Sequence, residues 1–330
     1  MVLQISNNYL QETCFILAIV GIALSITATA LHFVAVRRVK HRPGWEDLFS
    51  VLATFFFVLY VIPLLYLLSL MNGNSTWTDE EIVNIKKAGY AMGPQFCMQQ
   101  LFAKLSILFL YYRLFHVNQR FLYCVQFLGI FQTAWSIATY IAHYLECIPP
   151  SKLWKPTIDG HCINSAAFLA GGETPNSLVD FALIALAIWM VQTLRVKTSE
   201  KLKLFVIFMI GGLAGVLGFV KIGYGFSAVS KSKIEVLDPI WATVQQTCSV
   251  ICCCAPFYKP LIPDFGVFRY ISSVVSKSRS SKSGSNPHPD EMDINPFFWE
   301  RNRKHQCDDW IQLDGNNPQK GLSSHTLPPV

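Results

Sequence analysis

Six polar residues interrupt stretches that are otherwise almost wholly apolar: Lys104, Glu173, Asn176, Asp180, Lys221 and Gln245. Two ammonium groups, two carboxylates and two carboxamides can pair with one another, hold a polar ligand group, or relay a proton. Asn176 and Asp180 lie one helical turn apart, so both can address the same neighbour. An ionisable group in hydrocarbon costs about 2.5 to 3.5 kcal/mol on insertion scales and usually faces a partner. Which of these chemistries applies depends on the elements that carry the six residues.

Those elements follow from composition. The chain has 330 residues, 52% hydrophobic and only 15% charged, against about 25% charged in a soluble domain. Apolar runs can be cut at Thr13–Val36, Leu48–Met71, Pro94–Phe115, Phe121–Tyr144, Ala166–Gln192, Leu204–Ala228 and Pro239–Tyr258. Each has the length of roughly 20 residues that crosses a bilayer as a helix. The expected fold is an all-α membrane protein, a bundle of seven transmembrane helices. Glu12 rather than a basic cluster precedes the first run, which is also too long for a signal-peptide core, so it is expected to stay as the first span.

Lys and Arg set the orientation. Arg37, Arg38, Lys40 and Arg42, then Arg113 and Arg120, then Arg195, Lys197, Lys201 and Lys203 fall in alternate loops, and by the positive-inside rule these face the cytoplasm. The N-terminus is then outside and the C-terminus inside. Residues 1–12 form a short extracellular segment, 13–260 the membrane domain, and 261–330 a Ser-, Lys- and Pro-rich cytoplasmic tail expected to be largely disordered. The net charge of +6 suits anionic lipid and calls for no nucleic acid. Asn74-Ser75-Thr76 is a glycosylation sequon on the outer side. Cys147 and Cys162 share one outer loop, and their bridge would be worth about 3 kcal/mol in the chain-entropy view; Cys97 is an alternative partner for Cys162.

Several short motifs then occur in order: Gly44-Trp45-Glu46-Asp47 before the second span, Lys104-Leu105-Ser106-Ile107-Leu108 and Tyr112-Arg113-Leu114-Phe115 in the third, Cys147-Ile148-Pro149 with Trp154, Gly160 and Cys162 after the fourth, Asn176 and Asp180 in the fifth, Lys201-Leu202 opening the sixth, and Trp241 with Pro256 in the seventh. As a set over about Leu17 to Pro260 they resemble the fungal rhodopsin-like integral membrane family, which includes Pth11-type receptors and membrane proteins found beside secondary-metabolite genes. The resemblance implies a receptor-type seven-helix bundle and supplies no ligand. The chain departs from the pattern at Ala187, Lys221 and Gln245, where the family often has Pro, Arg and Glu; Gln245 removes an acid and weakens a proton-linked role. Retinal needs a lysine in the last helix to form its Schiff base, and PIWATVQQTCSVICCCAPFY contains none, so no cofactor is expected.

Counting depth at 1.5 Å per residue puts Lys104 beside Asp180 near mid-membrane, and Glu173, Lys221 and Gln245 together in the outer third. These two levels either fix helix packing and register or form a ligand pocket in which a bound group exchanges with one partner; a proton or ion path is the third reading. Gly211, Gly215 and Gly218 share a face of the sixth span and suit close helix approach. Arg113 at the inner end of the third span is the candidate for coupling to a cytoplasmic signalling partner.

Catalytic motifs are missing: there is no Gly-rich phosphate loop, GxSxG elbow, HExxH or paired Asp-rich motif. His143, Glu146 and Cys147 read as a boundary histidine beside a disulfide cysteine. Cys252, Cys253 and Cys254 are consecutive on a helix and point in different directions, so no metal site is expected. The functional expectation is a receptor-like sensor of a small molecule in the plasma membrane; the alternative is a membrane-embedded enzyme or carrier acting on an apolar secondary metabolite.

Overall fold

The computed structural model describes residues 9–38, 44–71, 78–114, 118–193, 198–226 and 231–258. Seven long helices fill them: α1 Tyr9–Arg38, α2 Trp45–Leu70, α3 Asp79–Leu114, α4 Gln119–Tyr144, α5 Ser165–Thr193, α6 Thr198–Gly225 and α7 Lys231–Cys254. Between α4 and α5 a two-stranded hairpin, β1 Cys147–Ile148 and β2 His161–Cys162, pairs Cys147 with Cys162 and Ile148 with His161. A short 3-10 turn, Ala255–Tyr258, follows α7 and packs on α1. The Asn74 sequon and the segment 261–330 lie outside the described residues, as does residues 1–8 of the expected extracellular segment.

Side-chain caps set several helix starts. The Asp47 carboxylate accepts from Gly44 N–H at 2.8 Å and opens α2. Thr78 and Glu81 form a capping box, Glu81 Oε2 accepting from Thr78 N–H at 2.8 Å while Thr78 Oγ1 accepts from Glu81 N–H at 3.4 Å. Asn118 caps α4 and Asn164 caps α5 through their side-chain oxygens.

Two expected boundaries are corrected here. The stretch from Asn72 to Gly93 reads as a loop ended by Pro94, yet α3 begins at Asp79 and passes through Pro94; likewise α7 begins at Lys231 and passes through Pro239. Each proline removes one backbone donor, which a helix packed on all sides can absorb. The capping box at Thr78, not the proline, starts α3. The extension also brings Lys231 and Lys233 into the first turn of α7, although the expected span contains no lysine.

α3 runs through the middle of the bundle against α2, α4 and α7, while α5 packs on α6, α6 on α7, and α7 back on α1. One apolar cluster, with Cys14, Phe57, Tyr60, Leu64, Met92 and Ile240, occupies the end that carries the hairpin. A second, with Ala28, Ile107, Tyr111, Phe121, Leu183 and Val250, occupies the opposite end. Outward faces remain apolar, as at Ile19, Leu24, Phe55, Ile62, Phe127, Ile130 and Ile137, which suits lipid rather than water. Among the described residues three helices, α1, α2 and α4, are long and apolar enough to cross a membrane.

Candidate ligand site

Between the two apolar clusters lies a layer of buried polar side chains from α3 to α7. At mid-bundle the Lys104 ammonium, 2% exposed, donates to Asn176 O at 2.6 Å and Asn176 Oδ1 at 2.5 Å, and lies 3.3 Å from Asp180 Oδ1. Lys104 is thus held first by the carboxamide and backbone of Asn176 and less closely by Asp180, its expected partner. The free oxygen of that carboxylate, Asp180 Oδ2, is buried without a hydrogen-bond partner. A cavity of about 20 Å³ bordered by Lys104, Asp180 and Ser249 has room for little more than a water.

Toward the hairpin end, Glu173 gathers three helices. Its Oε1 accepts from the Lys221 ammonium of α6 at 2.6 Å, and its Oε2 from Gln245 of α7 at 3.4 Å and Asn176 at 3.5 Å. Lys221 also lies 3.6 Å from Asp238 Oδ1 of α7 and 4.2 Å from the centre of the Phe96 ring. A buried pair of this kind is stable only when its spare valences are met, and here four groups meet them.

Glycines bring α6 close enough for this. A Cβ at Gly218 would stand 2.0 Å from Ser177 Oγ and 3.3 Å from Glu173 Oε2; one at Gly215 would stand 3.2 Å from Asp180 Cβ; one at Gly211 would stand 2.8 Å from Cys252 Sγ. The glycine face therefore meets α5 at both acidic levels and α7 near Cys252, with the tightest approach at Gly218.

Glu173, Asn176 and Lys221 also border a cavity of about 490 Å³, within the range of small-molecule sites. Its walls include Tyr60, Tyr90, Phe96, Trp135 and Phe168, and its charged lining is Lys86, Glu146, Glu173, Lys221 and Asp238. Lys104, Asp180 and Gln245 are not in that lining; Gln245 reaches it only through Glu173. Burial pushes the Glu146 carboxyl up from its ordinary value.

The hairpin borders the same region. Cys147 and Cys162 form a disulfide, and Cys97 is a free, buried thiol. The Trp154 ring meets Tyr90 edge-on at 5.9 Å, with the Lys87 ammonium 5.9 Å from its centre. His143 packs edge-on against Phe168 at 4.8 Å and lines the cavity. Among the described residues no group of three or more His, Cys, Asp or Glu is arranged to hold a metal ion.

Sequence reasoning passed over two features. Asp238 stands one residue before the expected start of the seventh span at Pro239, so the second carboxylate of Lys221 was cut off with the loop. The uncharged amides Gln99, Gln100, Gln132 and Gln246 are all 1% exposed or less; glutamines inside apolar runs were the available signal. At the opposite end, Glu46 and Asp47 are buried at the start of α2. Glu46 pairs with Arg113, and Asp47 Oδ1 lies 2.6 Å from His32 Nε2.

With this geometry, comparison with known proteins gives a consistent class. A family model described as the fungal rhodopsin domain matches residues 31–264, and the chain belongs to that family. It is a membrane protein by family and by its apolar helices. It is 33% identical to "Wortmanamides biosynthesis cluster protein C" of Talaromyces wortmannii over 99% of this chain and 91% of that protein. It is likewise 33% identical to "Satratoxin biosynthesis SC1 cluster protein 4" of Stachybotrys chartarum over 69% of this chain and 87% of that protein. A more distant relative, 25% identical over 74% of this chain and 60% of its own length, is a "SAT4 family membrane protein" of Emericella nidulans.

Proposed function

We propose that the chain is a seven-span receptor-like sensor of a small apolar molecule, bound without retinal in the cavity at the hairpin end. The hairpin end faces outward and the C-terminus lies in the cytoplasm of a plasma-membrane protein, an orientation supported by the Lys and Arg of alternate loops. The observation that carries the reading is the cavity of about 490 Å³, aromatic-walled and floored by a buried ion-pair network from α5, α6 and α7. A ligand that contacts that floor touches three helices at once and so biases how they pack. A receptor needs such a coupled element. Arg113, at the other end of α3, is the proposed contact to a cytoplasmic partner.

The relatives' names favour a second reading, a membrane-embedded carrier or enzyme acting on an apolar secondary metabolite. It predicts transport or product formation in isolated membranes that is sensitive to Glu173, with no dependence on Arg113.

Gly89 tests the shared part of both. It borders the cavity, and a Cβ built on it meets nothing within 4 Å, so Gly89→Phe adds a bulky ring at the cavity border from an unobstructed Cβ. Mass spectrometry of small molecules co-purified from the native fungus should find an apolar compound on the wild type that Gly89→Phe lacks. Identical extracts from the two proteins would overturn the assignment of the cavity.

A further inference from the structure

The hydrogen-bond polarity of the cavity floor points to a chemical class of ligand. Lys104 can only donate, and its ammonium lies 2.5 Å from Asn176 Oδ1, which fixes which end of the Asn176 amide is oxygen. The group that Gln132 turns toward that oxygen must therefore be its NH2, at 3.5 Å, which also donates to Ser136 Oγ at 2.9 Å. The Gln132 carbonyl oxygen is left over. It is buried on a side chain 1% exposed, has no partner, and belongs to a residue that lines the cavity.

The charged groups lean the same way. Lys221 is already engaged by Glu173, by Asp238 and by the face of Phe96. Of its two carboxylates Asp238 is the looser, at 3.6 Å with a side chain 41% exposed. The lining carries Glu146, Glu173 and Asp238 against Lys86 and Lys221, an excess of one negative charge by that count. Carboxylates outnumber ammonium groups in the lining, and the buried ammonium, Lys221, is already engaged. An anionic ligand would meet two carboxylates across an occupied amine, and a purely apolar one would leave the Gln132 oxygen unpaired.

We infer that the cavity takes an apolar, ring-bearing amine in its protonated form, with the ammonium set between the Asp238 carboxylate and the Gln132 carbonyl oxygen and the apolar body against the aromatic walls. The inference rests on the small-molecule reading above and goes beyond it in naming the head group. Asp238 exchanges part of its contact with Lys221 for the ligand, while Glu173 keeps Lys221 in place. The tyrosine and tryptophan faces of Tyr60, Tyr90 and Trp135 add cation–π attraction to the same charge.

The test uses the purified full chain in detergent micelles and three probes that share one body: naphthylethylamine, naphthylethanol and naphthylacetic acid. Equilibrium dialysis should give saturable binding with the amine preferred over both others by about tenfold or more. Asp238→Asn should erase most of that preference, and Gly89→Phe should abolish saturable binding of all three. If Asp238→Asn does not fold, the ranking of the three head groups on the wild type decides the matter alone. Equal binding of the three, or preference for the acid, overturns the amine inference; if Gly89→Phe still abolishes that binding, the small-molecule reading stands. Absence of saturable binding of any of the three, or binding indifferent to Gly89→Phe, overturns both.

Discussion

The two ends of the bundle use the same chemistry in different packing. At the end opposite the hairpin, His32 meets Asp47 and Arg113 meets Glu46, each pair tying α2 to one neighbouring helix. His32 and Asp47 are 0% and 3% exposed in their side chains, and Ser106 Oγ donates to Glu46 O at 2.8 Å. At the hairpin end one ammonium is shared by two carboxylates beside a cavity of about 490 Å³. A pair in a filled core fastens helices, because losing a partner strands the other. A shared pair beside open space has a partner to spare, and that is the arrangement a ligand can enter. Substitutions at the fully buried His32–Asp47 pair should therefore register in stability, and those bordering the cavity in binding.

The largest expected effect is at Asp47. Its two carboxylate oxygens serve different donors, Oδ1 at 2.6 Å from His32 Nε2 and Oδ2 accepting from Gly44 N–H at 2.8 Å. An asparagine has one oxygen, so Asp47→Asn turns an NH2 toward one of two donors. The loss should be about 2 to 3 kcal/mol, the cost of a buried hydrogen bond to a charged group together with a stranded partner. Thermal unfolding in detergent measures it. A variant as stable as wild type would remove the contrast between the ends.

Gly218→Ala comes next and acts on the other end. The new methyl would sit 2.0 Å from Ser177 Oγ and 3.3 Å from Ser177 Cβ and Glu173 Oε2, so the Ser177 hydroxyl must turn away and α6 is pressed from α5, at a cost of about 1 to 3 kcal/mol for overpacking. The same movement draws Lys221 from Glu173, so probe binding should fall by more than Asp47→Asn reduces it. Stability loss with unchanged binding would show that the glycine face and the cavity floor are not coupled.

Much of this comparison is legible in the sequence, though unevenly. Seven apolar runs mark the seven helices because lipid-facing and core-facing sides are both apolar, and that signal does not depend on partners. Glu173, Lys221 and Gln245 could be grouped because depth along a helix is a linear count. Rotation about the helix axis is not legible in that count, and this is why Asn176, one turn from Asp180, holds Lys104 more closely than Asp180 does. Asp238 was hidden by a proline read as a boundary, and Thr78-x-x-Glu81, which does mark a boundary, was passed over. The motif Gly44-Trp45-Glu46-Asp47 was visible as a resemblance, but that its acids reach His32 and Arg113 depends on how α1 and α3 pack on α2. The space of the cavity, a property of what side chains leave unfilled, has no sequence signature.

The smallest stability effect is expected at Arg113. Its side chain is 38% exposed while that of Glu46 is 4% exposed, so one half of the pair is in reach of solvent or of another protein. Screening at its exposed half limits such a pair to about 1 kcal/mol or less. Thermal unfolding should therefore shift little, and probe binding at the hairpin end should be unchanged, because no group of the cavity lining belongs to this pair. What should be lost is recovery of a cytoplasmic partner when the protein is cross-linked and isolated from native membranes. If Arg113→Gln instead destabilises the chain as much as Asp47→Asn, then Arg113 is a fastener like His32, and the partner surface must be sought elsewhere on that end.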